Sequence, residues 1–376
     1  MNILATLQSI GMTAVGFLFV LTLIIFVHEF GHFIVGRWCG VGVTTFSMGF
    51  GPELIGFTDR KGTRWRISAI PLGGYVKFVG DATEAGGPDT TALATMSAEQ
   101  RAGALSLKPV WQRAAVVAAG PIANFILAIG IFAMIYSVFG TQETKPLIDA
   151  VRAGSAAEAA GLQAGDLVVA VDGKPIVTFG ELQRAVSASD GATLAVTVHR
   201  ADTELTLRVT PIMEEETRFG STVRVPRLGI SRTTATGDVV TEHLPLPQAL
   251  VRGVQESWFI ITRTVSSIAG IFAGRESADQ LGGPIRVAEV AGQVASMGIV
   301  PLLNLAALLS VSIGLLNLLP VPILDGGHLM FYAIEAIRGR PLSERAQEIG
   351  FGIGAVLVAL LMIFATSNDV RHIFGI

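Results

Sequence analysis

Along this chain, hydrophobic and polar positions follow two different rhythms. Four stretches are almost wholly apolar over lengths that, as helices, cross about 30 Å of hydrocarbon. They are residues 13–34, uncharged until His28 and Glu29; 114–139, with no charge at all; 299–324; and 350–365. Between the first two, shorter β-prone runs at 43–50, 65–70 and 75–79 alternate with turn signals. Those signals are Gly49-Phe50-Gly51-Pro52, Asp59-Arg60-Lys61-Gly62 and Gly73-Gly74. Residues 83–104 are small, polar and glycine-rich, which predicts a loop. Over 246–271 the period becomes helical. Leu250, Val254, Trp258, Ile261 and Val265 share one face, and Arg252, Glu256 and Arg263 another. This predicts an amphipathic helix in a membrane interface, or one packed on its own protein.

Composition points the same way. Of 376 residues, 51% are hydrophobic and 15% charged, against about a quarter charged in a soluble domain. A polytopic α-helical membrane protein with about four spans is expected, with a membrane-associated β-hairpin region after the first. The formal net charge of −3 gives no reason to expect nucleic-acid binding. A single cysteine, Cys39, excludes an internal disulfide framework and a zinc–thiolate cluster. The first span lacks the basic n-region and small-residue cleavage site of a secretory signal and runs into a chemical motif, so it is read as retained.

Basic residues set the orientation. None precedes Arg37, whereas the segment between the first two spans carries Arg37, Arg60, Lys61, Arg64, Arg66, Lys77, Arg101, Lys108 and Arg113. Arg338, Arg340 and Arg345 lie in the connection before the last span. The positive-inside rule places both segments in the cytoplasm. Both termini and the long 140–298 segment are then extracytoplasmic, in a multi-pass protein of the cell inner membrane.

Within that long segment, 146–211 reads as a compact module. The run Ala160-Gly161-Leu162-Gln163-Ala164-Gly165-Asp166 leads into a strand at 167–171 and a turn at Asp172-Gly173-Lys174-Pro175. A helix at 179–188 and a hairpin over 193–209 follow. The arrangement resembles a single bacterial PDZ domain, which implies an extracytoplasmic ligand.

The chemistry is concentrated in the first span. His28-Glu29-Phe30-Gly31-His32 is an H-E-x-x-H motif. Residues i and i+4 of a helix differ by only about 40° around the axis, so both imidazoles can reach one metal with Glu29 beside them. Ionisable groups inside a span are costly and functional by default. A catalytic zinc commonly takes three protein ligands and keeps one open position. Few residues at membrane depth could supply the third. Asp325 is a candidate, in the run Asn317-Leu318-Leu319-Pro320-Val321-Pro322-Ile323-Leu324-Asp325-Gly326-Gly327-His328, where two prolines free backbone just ahead of it. His328, one helical turn after Asp325, is a candidate outer partner or substrate contact, or a plain polar residue at a helix start. Asn317 is a candidate for hydrogen-bonding substrate backbone, or has an internal partner.

These motifs together, with Phe46-Ser47-Met48-Gly49-Phe50-Gly51-Pro52 and Pro71-Leu72-Gly73-Gly74-Tyr75-Val76-Lys77-Phe78, resemble the site-2 protease family of intramembrane zinc metalloproteases. The similarity is to its bacterial regulator-of-sigma-E type and spans nearly the whole chain. It implies that His28, His32 and Asp325 ligate one Zn2+, and that Glu29 is the catalytic base. It also implies a re-entrant β hairpin near the active site, and a transmembrane protein substrate in the lipid bilayer. By resemblance that substrate is an anti-sigma factor already trimmed by another protease; remnant signal peptides are a further class. The enteric protease of this type carries two tandem PDZ domains, whereas one is found here.

The resulting division is a first span at 1–36, a cytoplasmic-side re-entrant β region and loop at 37–112, a second span at 113–140 and the PDZ domain at 146–211. A linker at 212–245, an amphipathic interfacial helix and connector at 246–298, and two spans at 299–376 complete it. The active site is expected near the cytoplasmic side. A PDZ-bearing scaffold with a non-catalytic metal site is the alternative, and Glu29 beside both histidines speaks against it. A transporter would call for an internal repeat that the chain lacks.

Overall fold

The computed structural model describes residues 3–374 apart from 84, 85, 89, 202, 219, 220, 233–239, 276 and 279–281. The linker at 212–245 and the connector before 298 therefore fall partly outside the described residues. In chain order the main elements are α1 (Ile3–Trp38), β1 (Val43–Thr58), β2 (Arg64–Phe78), α2 (Val110–Met134), β3 (Leu167–Val171), α3 (Phe179–Ala188), β4 (Leu194–Arg200) and β5 (Thr203–Val209). They continue with α4 (Leu246–Phe272), α5 (Pro284–Met297), α6 (Ile299–Asn317), α7 (Asp325–Arg338) and α8 (Glu344–Phe374). Among the described residues, four segments are long and apolar enough to cross a membrane: Gly11–Trp38, Val110–Phe139, Ile299–Asn317 and Arg345–Phe374. The chain forms two compact units, one from Met1–Ala133, Leu250–Thr264 and Gly282–Phe374, the other chiefly from Met134–Ala249 and Val265–Leu281.

In the first unit, helices approach closely where side chains are small. Gly16 of α1 faces the Ala291 carbonyl and Ala295 methyl of α5, and a Cβ at Gly16 would lie 2.9 Å from each. Contact through small residues is how helices associate where lipid supplies no hydrophobic driving force. Proline starts α5, where its missing N–H has no helical partner to lose. The orphan donors there are met by the buried Asp369 of α8, which accepts from the N–H groups of Gly283 (2.7 Å), Ile285 (3.0 Å) and Arg286 (3.2 Å). Gly298 alone joins α5 to α6, with φ +119° that a side chain would strain.

The third apolar stretch, expected to run to Leu324, leaves helical geometry after Asn317. Pro320 and Pro322 have no N–H to give, and residues 318–324 turn irregularly before α7 begins at Asp325.

The β region is more tightly interwoven than three separate runs would suggest. Phe46, Ser47 and Met48 have partners on both sides: Val76, Tyr75 and Gly74 on one, Trp65, Arg66 and Ile67 on the other. Glu53–Thr58 folds back onto Arg64–Ser68, and the Gly49–Pro52 signal lies inside β1 as a register irregularity rather than a strand end. Phe33 of α1 packs with Val43, Phe46, Phe78 and Val116 in the core beneath it. Arg37, at the end of α1, donates to Asp59 Oδ2 (3.0 Å) and Thr63 Oγ1 (2.6 Å), which ties the 59–62 turn to the span. The stretch expected as loop at 83–104 contains the short helices Thr90–Thr95 and Ala98–Ala102. Ser97 and Gln100 form a capping box on the second.

In the second unit, β5, β4, β3 and the short strand Lys174–Pro175 form one sheet in that order. Ile148, Leu162, Val168, Leu182, Val196, Val198, Val209 and Leu228 make its core, and Ala150–Val151 pairs with Ile230–Ser231. Thr178 caps α3 by accepting from Glu181 N–H (3.2 Å). Asp166 is fully buried and takes two bonds from Arg200, 2.7 Å to each oxygen. Burial opposes its charge, but Arg200 and the Gln163 N–H outweigh that and hold the carboxyl below its usual range. A depressed carboxylate pKa stabilises the fold above the unfolded value of about 4, and the contribution fades as pH falls through the folded value. Arg200→Met should therefore lower the melting temperature of a fragment covering residues 144–232 at pH 7. The deficit should shrink steadily below pH 4; a deficit independent of pH would show that Asp166 is not its source.

Candidate metal centre

The helical period of α1 stacks His28 and His32 one turn apart, with their Nε2 atoms 3.2 Å from each other. The carboxylate of Asp325, from the first turn of α7, meets them. Its Oδ2 lies 3.2 Å from His28 Nε2 and 3.6 Å from His32 Nε2. All three side chains are mostly buried, at 12%, 10% and 18% exposure. A tetrahedral ion with ligands at 2.0–2.2 Å separates its donor atoms by about 3.3–3.6 Å. The three edges of this triangle therefore match a zinc site. Among the described residues, Asp325 Oδ2 is also buried with no hydrogen-bond partner. A carboxylate oxygen left so inside apolar surroundings is costly, and a cation beside it removes the cost. The donor set and its spacing fit zinc.

The rings are held from behind. His32 Nδ1–H donates to the Val116 carbonyl at 2.8 Å. Because a carbonyl can only accept, Nδ1 carries a proton, and in the neutral imidazole the Nε2 lone pair faces the cluster. His28 Nδ1 lies 3.2 Å from the side-chain nitrogen of Asn124, also on α2. Gly120, one turn earlier, is a floor without a side chain: a Cβ there would collide with the His32 ring and lie 2.8 Å from His28 Nε2. Gly31, inside the motif, lets α1 press on α2, since a Cβ there would lie 2.8 Å from the Ala123 methyl.

Glu29 points to the β region. Val76 of β2 gives its backbone N–H to the Glu29 carboxylate, and a Cβ on Gly74 would lie 3.2 Å from Glu29 Cγ. The outer edge of β2 therefore runs past this carboxylate. Farther along α7, Glu335 accepts two bonds from Arg113 of α2 (3.0 and 2.6 Å), and the guanidinium lies over the Tyr332 ring at 4.9 Å. That fork anchors the helix that carries Asp325.

Of the remaining candidates, Asn317 closes α6, half-buried. His328 tilts its ring against Phe351 at 5.1 Å, in an aromatic setting. Sequence reasoning did not single out Asn124, Gly120, or the Arg113–Glu335 pair. For Asn124 a signal existed, because it is the one amide in a stretch, 114–139, that carries no charge.

Comparison with known proteins agrees with this chemistry. Residues 16–361 match the family model described as Peptidase family M50. A protein of Agrobacterium fabrum, named "Putative zinc metalloprotease Atu1380", is 52% identical over 362 residues, covering 96% of each chain. Rhizobium meliloti has a relative of the same description, R01501, 47% identical over 370 residues, or 98% of this chain and 99% of the relative. "Metalloprotease MmpA" of Caulobacter vibrioides is 38% identical over 381 residues, covering 95% of each. With apolar helices of spanning length, a donor set that fits zinc, and relatives that align end to end, this chain belongs to peptidase family M50 and is an integral membrane zinc metalloprotease.

Proposed function

We propose that His28, His32 and Asp325 hold one zinc ion, that Glu29 is the general base, and that the chain cuts single-span membrane proteins within or beside the bilayer. The convergence of three ligand atoms at zinc spacing carries this reading, with an acid next to them on the same helix. Zinc, when bound, polarises a scissile carbonyl and brings the pKa of a bound water from 15.7 towards about 7. The remaining work belongs to the protein. Glu29, steadied by the Val76 N–H, takes the proton of the attacking water. Val116 keeps the His32 lone pair aimed inward. Asp325 adds a negative charge that lets a dication sit in a low-dielectric site.

A transmembrane substrate hides its carbonyls in helical hydrogen bonds, so it must unwind before cleavage. We infer that the outer edge of β2 at Gly74–Val76 receives the unwound segment by strand addition. Its position beside Glu29 supports this, because a strand paired there lies next to the base. Asn317 is assigned to the substrate backbone on the same reading. The strand, helix and hairpin at 147–209 support a PDZ domain that binds an extracytoplasmic peptide. The distribution of Lys and Arg supports an inner-membrane protein with both termini outside the cytoplasm. Resemblance to the regulator-of-sigma-E type supports a trimmed anti-sigma factor as substrate, within regulated intramembrane proteolysis and a stress response, or remnant signal peptides.

Two experiments test the assignment. Glu29→Gln should keep zinc while cleavage of a single-span substrate falls about 10²–10⁴-fold; retained turnover would refute the base. Asp325→Ala should lose zinc affinity more than about 100-fold, since even an outer partner is worth 10–100-fold. For the edge, proline is placed in turn at Leu72 and Gly74, which leaves the Val76 N–H to Glu29. Cleavage is expected to drop with zinc content unchanged, and normal cleavage in both would remove strand addition from the reading.

A further inference from the structure

Among the described residues, two side-chain oxygens next to the imidazoles are buried without a hydrogen-bond partner: Asp325 Oδ2 and Asn124 Oδ1. A metal accounts for the first. The second belongs to a residue with 0% exposure whose amide addresses the ring nitrogen of His28 that does not face the cluster. Two arrangements of that contact are chemically distinct. With the amide nitrogen towards His28, Nδ1 must accept, so the ring proton sits on Nε2, among His32 Nε2 and Asp325 Oδ2. A proton there occupies the lone pair that a metal needs. With the amide turned by half a rotation, Oδ1 accepts from Nδ1–H and Nε2 keeps its lone pair. Oxygen and nitrogen of an amide are assigned from their hydrogen bonds, and the second arrangement gives the buried Oδ1 the donor it lacks.

We propose that Asn124 is the positioning residue for His28: its side-chain oxygen accepts from His28 Nδ1–H and fixes the tautomer that presents Nε2 to zinc. His32 has the same arrangement with the Val116 carbonyl, so α2 orients both rings, one through its backbone and one through this side chain. Asn124 is itself fixed by α6, where Ser310 Oγ–H donates to its backbone carbonyl at 2.8 Å. Metal-bound imidazoles depend on such outer acceptors, and removing one typically costs 10–100-fold in metal affinity. The proposal rests on the zinc assignment of His28, His32 and Asp325.

The test uses the full chain in detergent, in a Glu29→Gln background so that turnover does not enter, with zinc affinity read by chelator competition. Asn124→Leu keeps the bulk and removes the acceptor, and should bind zinc about 10–100-fold more weakly. Asn124→Asp keeps an acceptor oxygen and should restore most of that loss. Parent-like affinity of Asn124→Leu, or an Asn124→Asp protein as weak as Asn124→Leu, overturns the proposal. Should Asn124→Leu fail to fold, the cobalt-substituted Asn124→Asp protein decides. A carboxylate behind His28 shifts the visible cobalt bands, and a spectrum superimposable on the parent's overturns the assignment. Asp325→Ala in the same background separates the two levels. If it binds zinc normally, the metal reading itself is wrong; if it loses zinc while Asn124→Leu does not, only the role of Asn124 is.

Discussion

Two imidazoles and a carboxylate face one another among apolar helices, and the cost of burying them constrains what surrounds them. Each polar atom taken out of water needs a partner. Val116 supplies one for His32 and Asn124 addresses His28, while Asp325 Oδ2 has none among the described residues. Under the proposed reading, a divalent cation satisfies that oxygen and both Nε2 lone pairs at once. The break after α6 follows from the same need. Pro320 and Pro322 prevent a continuous helix, and the chain turns through bonds such as Val321 N–H to Leu319 O at 2.7 Å and Leu324 N–H to Val321 O at 3.0 Å. Irregular backbone at this depth is tolerable only when enclosed by protein. Gly354 of α8 encloses it, since any side chain there would run into Pro322.

Positional accuracy comes from small residues more than from large ones. Gly31 sets the approach of α1 to α2, Gly120 leaves room for the rings, and Gly74 allows β2 to pass Glu29. Gly314 brings α6 against α2, where a Cβ would lie 3.2 Å from the Pro121 carbonyl and 3.3 Å from the Asn124 Cβ. A methyl at any of these points would push a helix or strand outward by a few tenths of an ångström or more. A metal site tolerates little of that, because its ligand distances are defined to about 0.2 Å. Larger groups act at a distance: the Arg113–Glu335 fork anchors the far end of α7, and Asp369 holds the start of α5.

What could be read from sequence was local. The H-E-x-x-H spacing, the apolar stretches and the proline break each follow from period or from backbone chemistry within a few residues. Asp325 could be suspected because charges are so rare at that depth. Asn124 could not be ranked the same way, since an uncharged amide in a span costs less and draws less attention, and its partner lies on another helix. Pairings between distant segments were equally silent. Nothing local in Phe46-Ser47-Met48 says that it takes partners from both Trp65-Arg66-Ile67 and Tyr75-Val76. Nor does the sequence near Asp369 announce that it caps a helix more than eighty residues upstream. The loop expected over 83–104 erred for a related reason, because the Ser97–Gln100 capping box was outweighed by glycine content.

The β region matters for a reason that is energetic before it is geometric. A hydrogen bond in an apolar medium is worth about 4–6 kcal/mol, so unwinding even one turn of a helix in lipid is prohibitive unless the freed groups are paired elsewhere. Water near the site can satisfy some of them, but water alone would leave the scissile carbonyl unoriented. A strand edge offers donors and acceptors at fixed spacing, and alternate residues of a strand aim their N–H groups to the same side. The Val76 N–H faces the Glu29 carboxylate, and the Phe78 N–H goes outward to Asp81 Oδ2 at 2.9 Å. The outer row of β2 is therefore turned towards the site rather than into the sheet. Under the proposed reading, the edge that steadies the base also lowers the cost of presenting a peptide bond to it, which would explain why a chain so largely helical keeps a sheet beside its metal ligands.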